Sequence, residues 1–188
     1  MKNSVKLIVS VALLIAIMAG AVVLYNKLSD EYGGGNLAVS TTAESGSVNT
    51  YAAPDFTVLD YDGNEVKLSD FKGKPVVLNV WATWCYYCKE EMPDFNKAYK
   101  NYPEVQFLMI NATDGVQETM SAAKKYVEDE GFEFDVFFDT KLEAVNNYRI
   151  TGFPATFFID EDGNLVTRGN GMLDYDTLVR GIEMILED

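Results

Sequence analysis

Histidine is absent from this chain of 188 residues, and cysteine occurs only twice, as Cys85 and Cys88. Without histidine there is no imidazole to serve as general base or metal ligand. A zinc site built on the two cysteines would lack two ligands, and haem attachment would need histidine where Lys89 stands. No metal is therefore expected. No cysteine is left for a bridge elsewhere, and closing a two-residue gap removes too little loop entropy for the pair to serve mainly as a staple. Positive charge is also scarce: 15 Lys and Arg stand against 29 Asp and Glu, a net charge of −14. Residues 1–53 carry three of each sign, so the whole acidic excess lies after them. Such a field repels nucleic acid and anionic headgroups, and neither is expected as a partner. No internal repeat is present.

What is present centres on Pro75–Pro93, PVVLNVWATWCYYCKEEMP. Val76–Trp81 has the length and β-branched content of a buried strand. After the turn Ala82-Thr83-Trp84, the residues from Cys85 onward suit a helix, with acids in its first turns. The cysteine pair thus sits where a strand hands over to a helix N-terminus. Unpaired amides and the positive end of the helix dipole stabilise a thiolate there. Cys85 is accordingly the expected nucleophile. Cys88, one turn further in and less exposed, is the expected resolving thiol.

Upstream, Leu7–Tyr25 is a run of 19 residues without charge, about 28 Å as a helix and enough to cross a bilayer core. Lys2 and Lys6 before it predict a cytoplasmic segment 1–6, a membrane anchor 7–25 and everything later outside. A cleaved signal peptide ending near Ala19-Gly20-Ala21 is the competing reading. No cysteine follows the run to carry a lipid. Residues 26–53, with Gly33-Gly34-Gly35 and few apolar residues, read as a flexible tether, and 54–188 as the folded domain.

Within that domain, Phe56-x-Val58 and Val66-x-Leu68 around Asp62-Gly63-Asn64 predict a hairpin. The helix begun at Cys85 continues through Phe95, Ala98 and Tyr99, with Pro93 inside it and Pro103 ending it. Strands are predicted at 105–110, 136–138, 155–159 and 165–167, and helices at 113–130, 141–148 and from the Asp174 cap to the end. Alternating strands and helices, closed by a hairpin and a helix, imply an α/β sheet covered on both faces.

The segments APDFTVLDYDG, LSDFKGKP, WATWCYYCKEEMP and GFPATFFIDEDG, in this order, resemble the TlpA/ResA-like family of membrane-anchored, extracytoplasmic thiol-disulfide oxidoreductases. The resemblance implies a thioredoxin-like fold: a central mixed sheet with helices on both faces, an N-terminal β-hairpin extension and a single transmembrane helix before it. It makes Cys85 the attacking and Cys88 the resolving thiol, with Trp84 beside them. Pro154 matches the family's cis-proline facing the cysteines, and the Phe153 backbone would pair with a bound polypeptide. Glu91 matches the family's acid after the second cysteine, either as a proton carrier or on a solvated helix face. A further acid near the site corresponds to Asp114 or Glu118.

The expected function is reduction of disulfides in partner proteins, with no cofactor beyond the Cys85-Cys88 disulfide itself. The implied bacterial setting is the outer side of the cell membrane. The implied clients are apocytochrome c or a methionine sulfoxide reductase, recharged by a membrane thiol-transfer protein. A disulfide-forming oxidase is the alternative direction. A thioredoxin-fold peroxidase would want threonine at position 82, which is Ala82. A tethered module that binds clients without chemistry completes the alternatives.

Overall fold

The computed structural model describes residues 18, 20–23, 37–39 and 51–186, and the chain divides into two units, 1–34 and 35–188. The expected anchor at 7–25 lies outside the described residues apart from Met18 and 20–23, which are helical. No helix among the described residues is long and apolar enough to cross a membrane.

The second unit is built on one sheet. Its strands are β1 (Leu37–Val39), β2 (Tyr51–Ala52), β3 (Thr57–Leu59), β4 (Glu65–Lys67), β5 (Val76–Trp81), β6 (Gln106–Asn111), β7 (Val136–Phe138), β8 (Ala155–Ile159) and β9 (Asn164–Asn170). The helices are α1 (Tyr86–Asn101), α2 (Met120–Glu130), α3 (Glu143–Asn147) and α4 (Tyr175–Leu186). The sheet runs β1-β9-β8-β5-β6-β7-β3-β4, with β2 also on β9. β5, β6 and β7 are parallel; β8 lies antiparallel to β5, and β3 antiparallel to β7. This is a thioredoxin-like α/β fold with a mixed sheet and the expected hairpin, β3–β4, at its far edge.

Central β5 is buried at all six positions, and its side chains alternate between two cores. Val77 and Trp81 face α1, α2 and α4, packing with Phe95, Val127 and Ile182. Val76, Leu78 and Val80 face the other side with Leu68, Ala144 and Tyr148. Burying each such side chain contributes about 1.5–3 kcal/mol. The carboxyl ends of β5 and β6 and the start of antiparallel β8 meet at one end of the sheet, where both cysteines and Pro154 lie.

Two expectations are corrected. β1 and β2, inside the predicted tether 26–53, pair with successive stretches of the outer edge of β9. An uncovered edge offers unpaired N–H and C=O groups, and Leu37-Ala38-Val39 is a short apolar stretch able to take them. The helix predicted from Thr113 begins instead at Met120, after Thr119, whose Oγ1 accepts from the Ala122 N–H. Residues 113–119 form a loop because Asp114 Oδ1 accepts three backbone N–H groups, from Val116, Gln117 and Glu118, and Gly115 sits at φ +74°. Side-chain acceptance of this kind competes with helical bonds.

Candidate active site

Cys85 is the N-cap of α1, in extended conformation, and its Sγ accepts the Cys88 N–H at 3.1 Å. The two sulfurs are joined in a disulfide. Cys88 is fully buried, whereas Cys85 retains 6% exposure. A sulfur at a cap position replaces a helix partner for a backbone amide, the setting that stabilises negative charge on it.

Around this opening the surface is aromatic. Trp84, Tyr86 and Tyr87 are all exposed, at 50%, 65% and 60%. Trp84 meets Phe153 edge to face, with ring centroids 5.7 Å apart, so the cysteine loop and the loop before β8 touch. The Phe153–Pro154 peptide is cis, as the resemblance implied. The Pro154 carbonyl accepts the Gly171 N–H at 3.0 Å, tying this loop to the end of β9.

Behind the cysteines lies Glu91, one turn beyond Cys88 and 1% exposed. Its Oε1 accepts from Asn79 Nδ2 at 2.8 Å, and its Oε2 accepts from the Leu173 N–H at 2.9 Å. Asn79 Nδ2 also donates to Thr156 Oγ1 at 3.1 Å. Burial drives the carboxyl up to about 8, against the opposing pull of these two N–H donors. Glu91 is therefore no part of a solvated helix face.

Glu118 is fully buried. Its Oε2 accepts from the Thr83 N–H at 3.0 Å and Thr83 Oγ1 at 2.7 Å, and its Oε1 from Asn111 Nδ2 at 2.8 Å. It thus fixes the turn two residues ahead of Cys85. Asp114, the other candidate, is exposed and spends its carboxylate on its own loop, and those amides lower its pKa. The geometry separates the two acids: Glu118 braces the cysteine turn, and Asp114 only folds the loop that delivers Glu118.

Sequence reasoning passed over Asn79, Asn111, Thr83 and Thr156. Asn79 is detectable in principle: an amide inside the apolar run VVLNVW must find a buried partner. Among the described residues no group of three or more His, Cys, Asp or Glu is arranged to hold a metal.

Residues 50–168 match the AhpC/TSA family. The thiol-disulfide oxidoreductase ResA of Geobacillus kaustophilus is 31% identical over 189 residues, covering 98% of this chain and 99% of that protein. A crystal structure assigned to a thiol:disulfide interchange protein DsbE from Chlorobium tepidum superposes with TM-score 0.66 at 30% identity, over 73% of this chain and 97% of that one. The exposed lipoprotein thioredoxin Etrx1 of Streptococcus pneumoniae superposes with TM-score 0.61 at 26% identity, over 69% of this chain and 98% of that one. With its two cysteines at the mouth of this fold, the chain belongs to the AhpC/TSA family as a ResA-like thiol-disulfide oxidoreductase.

Proposed function

We propose that the chain is a membrane-tethered reductase of disulfides in extracytoplasmic client proteins. The observation that carries the exchange chemistry is the position of Cys85: N-cap of α1, more exposed than Cys88, its sulfur already accepting an amide. The reducing direction rests on the surrounding sequence: no histidine stands between the cysteines and no arginine beside them to stabilise the thiolate to the degree that a strong oxidant needs. In the reduced protein the Cys85 thiolate attacks a client disulfide, forming a mixed disulfide and releasing one client thiolate. Cys88 then attacks Cys85 Sγ, closing the Cys85-Cys88 disulfide and freeing the second client thiol. Two electrons pass to the client, and a membrane thiol-transfer protein returns them. Glu91, on the helix face of Cys88, takes and returns the resolving thiol's proton. Glu118 positions the Cys85 turn. The Phe153 backbone and Pro154 receive the client chain beside Trp84. Apocytochrome c and a methionine sulfoxide reductase are the client types that the family resemblance suggests.

The anchor at 7–25, the tether after it and the outward placement of the domain belong to the same proposal. The helical residues in that stretch carry exposed apolar side chains, Met18, Val22 and Val23, which suit lipid. The structural neighbour Etrx1 is itself an exposed lipoprotein. Resistance of the intact chain to alkaline carbonate extraction, with the domain open to protease added outside, is the expected result. An N-terminus beginning after residue 21 would exclude the anchor.

The reduction potential of the Cys85-Cys88 pair, measured on the full chain in detergent against dithiothreitol or glutathione buffers, tests the direction. A value at or below about −270 mV fits a reductase, whereas one near about −120 mV makes the protein a disulfide donor. Cys88→Ser should accumulate mixed disulfides with clients, and Cys85→Ser should form none.

A further inference from the structure

The cavities of the domain differ sharply in charge. One of about 510 Å³ is lined by Asp60, Asp62, Glu128 and Asp135. A smaller one of about 170 Å³ sets Asp55, Asp160 and Asp162 beside Lys72 and Lys74. The cavity adjoining Phe153 and Pro154, about 540 Å³, is lined by Arg149 and Arg168 and by no carboxylate. The chain has three arginines against 29 acids. Two of the three meet here, and the third, Arg180, bonds Thr177 within α4.

Neither Arg149 nor Arg168 is in an ion pair among the described residues. Arg149 follows α3 at φ +51°, a helix-end position that glycine or asparagine fills at less conformational cost. Arg168 and Asn170 alternate on one face of β9, opposite Phe157 and Ala155 of β8. Two arginines lining one cavity with no carboxylate on it suit a planar anion, and the loop that holds Pro154 lines the same cavity.

We infer that this cavity is a charge-reading subsite that receives an Asp or Glu side chain of the client, a few residues from the client's reacting cysteine. The inference rests on the reading that a client strand pairs along Phe153. Such a strand advances about 3.3 Å per residue, so a client residue a few positions from the reacting cysteine comes to the cavity that Phe153 and Pro154 line. The rest of the lining includes Tyr148, Ile150, Phe153 and Phe157, apolar surface for the stem of the acidic side chain.

The test uses the full chain in detergent at about 150 mM salt, where remote charges are screened beyond about 8 Å. Fluorogenic disulfide peptides carry Glu, Gln or Lys at each of four positions on either side of the reacting cysteine, and kcat/KM is read with dithiothreitol as electron source. The expected result is a preference for Glu over Lys of about 3- to 10-fold at one of those positions, the scale of two exposed ion pairs. The double substitution Arg149→Gln, Arg168→Gln should abolish that preference, and Arg149→Glu, Arg168→Glu should turn it toward Lys. The reduction potential should stay that of the wild type in both, which separates a subsite from a disturbed cysteine pair. Reduction without charge preference, or a preference that survives both double substitutions, overturns the subsite and leaves the reductase standing. Failure of the wild type to exceed Cys85→Ser on every peptide overturns the reductase, and the subsite with it.

Discussion

Glu91 holds the bonds of an ion in the surroundings of an acid. Both of its oxygens accept N–H groups, yet burial lifts its pKa from 4.5 to about 8. Between those values the folded protein keeps a proton that the unfolded chain has lost. The contribution of this group to stability therefore falls as pH rises from about 4.5 to about 8, and its full cost is present above that. Glu91→Gln cannot ionise, so denaturant midpoints at pH 5, 7 and 9 should show the wild type losing ground to the variant as pH rises. At pH 5 the variant should be the weaker by about 1–3 kcal/mol if its amide turns an N–H toward the Leu173 N–H. A difference that stays constant across pH would sink this account. The sequence revealed that an acid follows Cys88 by one turn, but not that it is buried. Burial here is decided by Asn79, Thr156 and Leu173, residues up to 82 positions away. The choice between Asp114 and Glu118 was open for the same reason, since only the fold shows which carboxylate reaches Thr83.

Strands survived the passage from sequence to structure better than helix boundaries did. β5, β7 and β8 lie where their apolar runs predicted, because a parallel or central strand buries both faces and has no other use for such a run. The start of α2 was misplaced by seven residues, since the apolar period through 113–130 continued across a loop whose folding depends on a single carboxylate, Asp114. Hidden also was how closely α4 approaches the sheet. A Cβ placed on Gly181 would lie 2.3 Å from Cε1 and Cζ of Phe158, a ring that is itself fully buried. Gly181→Ala should therefore lower stability by about 1–3 kcal/mol through overpacking, only partly offset by the better helix propensity of alanine. Calorimetry should register this as a drop of several degrees in Tm. An unchanged or raised Tm would mean that α4 can slide away from Phe158.

For the molecule as a whole, charge acts at two ranges. The net charge of −14 falls after residue 53 and should favour encounter with net-basic proteins. Raising ionic strength from about 10 to about 500 mM should slow mixed-disulfide formation between Cys88→Ser and a basic client, and speed it with an acidic one. Equal rates at both salt concentrations would confine electrostatics to the arginine cavity. The acidic total was legible from composition, but the gathering of two arginines beside Pro154 was not, because Arg149 and Arg168 belong to separate elements joined only by the fold. The same separation bears on transplantation. The segment from Trp84 to Pro93 looks like a cassette that could be grafted onto any strand-helix junction. Yet its carboxyl is answered by an amide 12 residues before it and a backbone N–H 82 residues after it, and the turn before Cys85 is held from 35 residues downstream. A graft carrying the ten residues alone would bring the sulfurs without the partners that hold Glu91 and the turn before Cys85 in place.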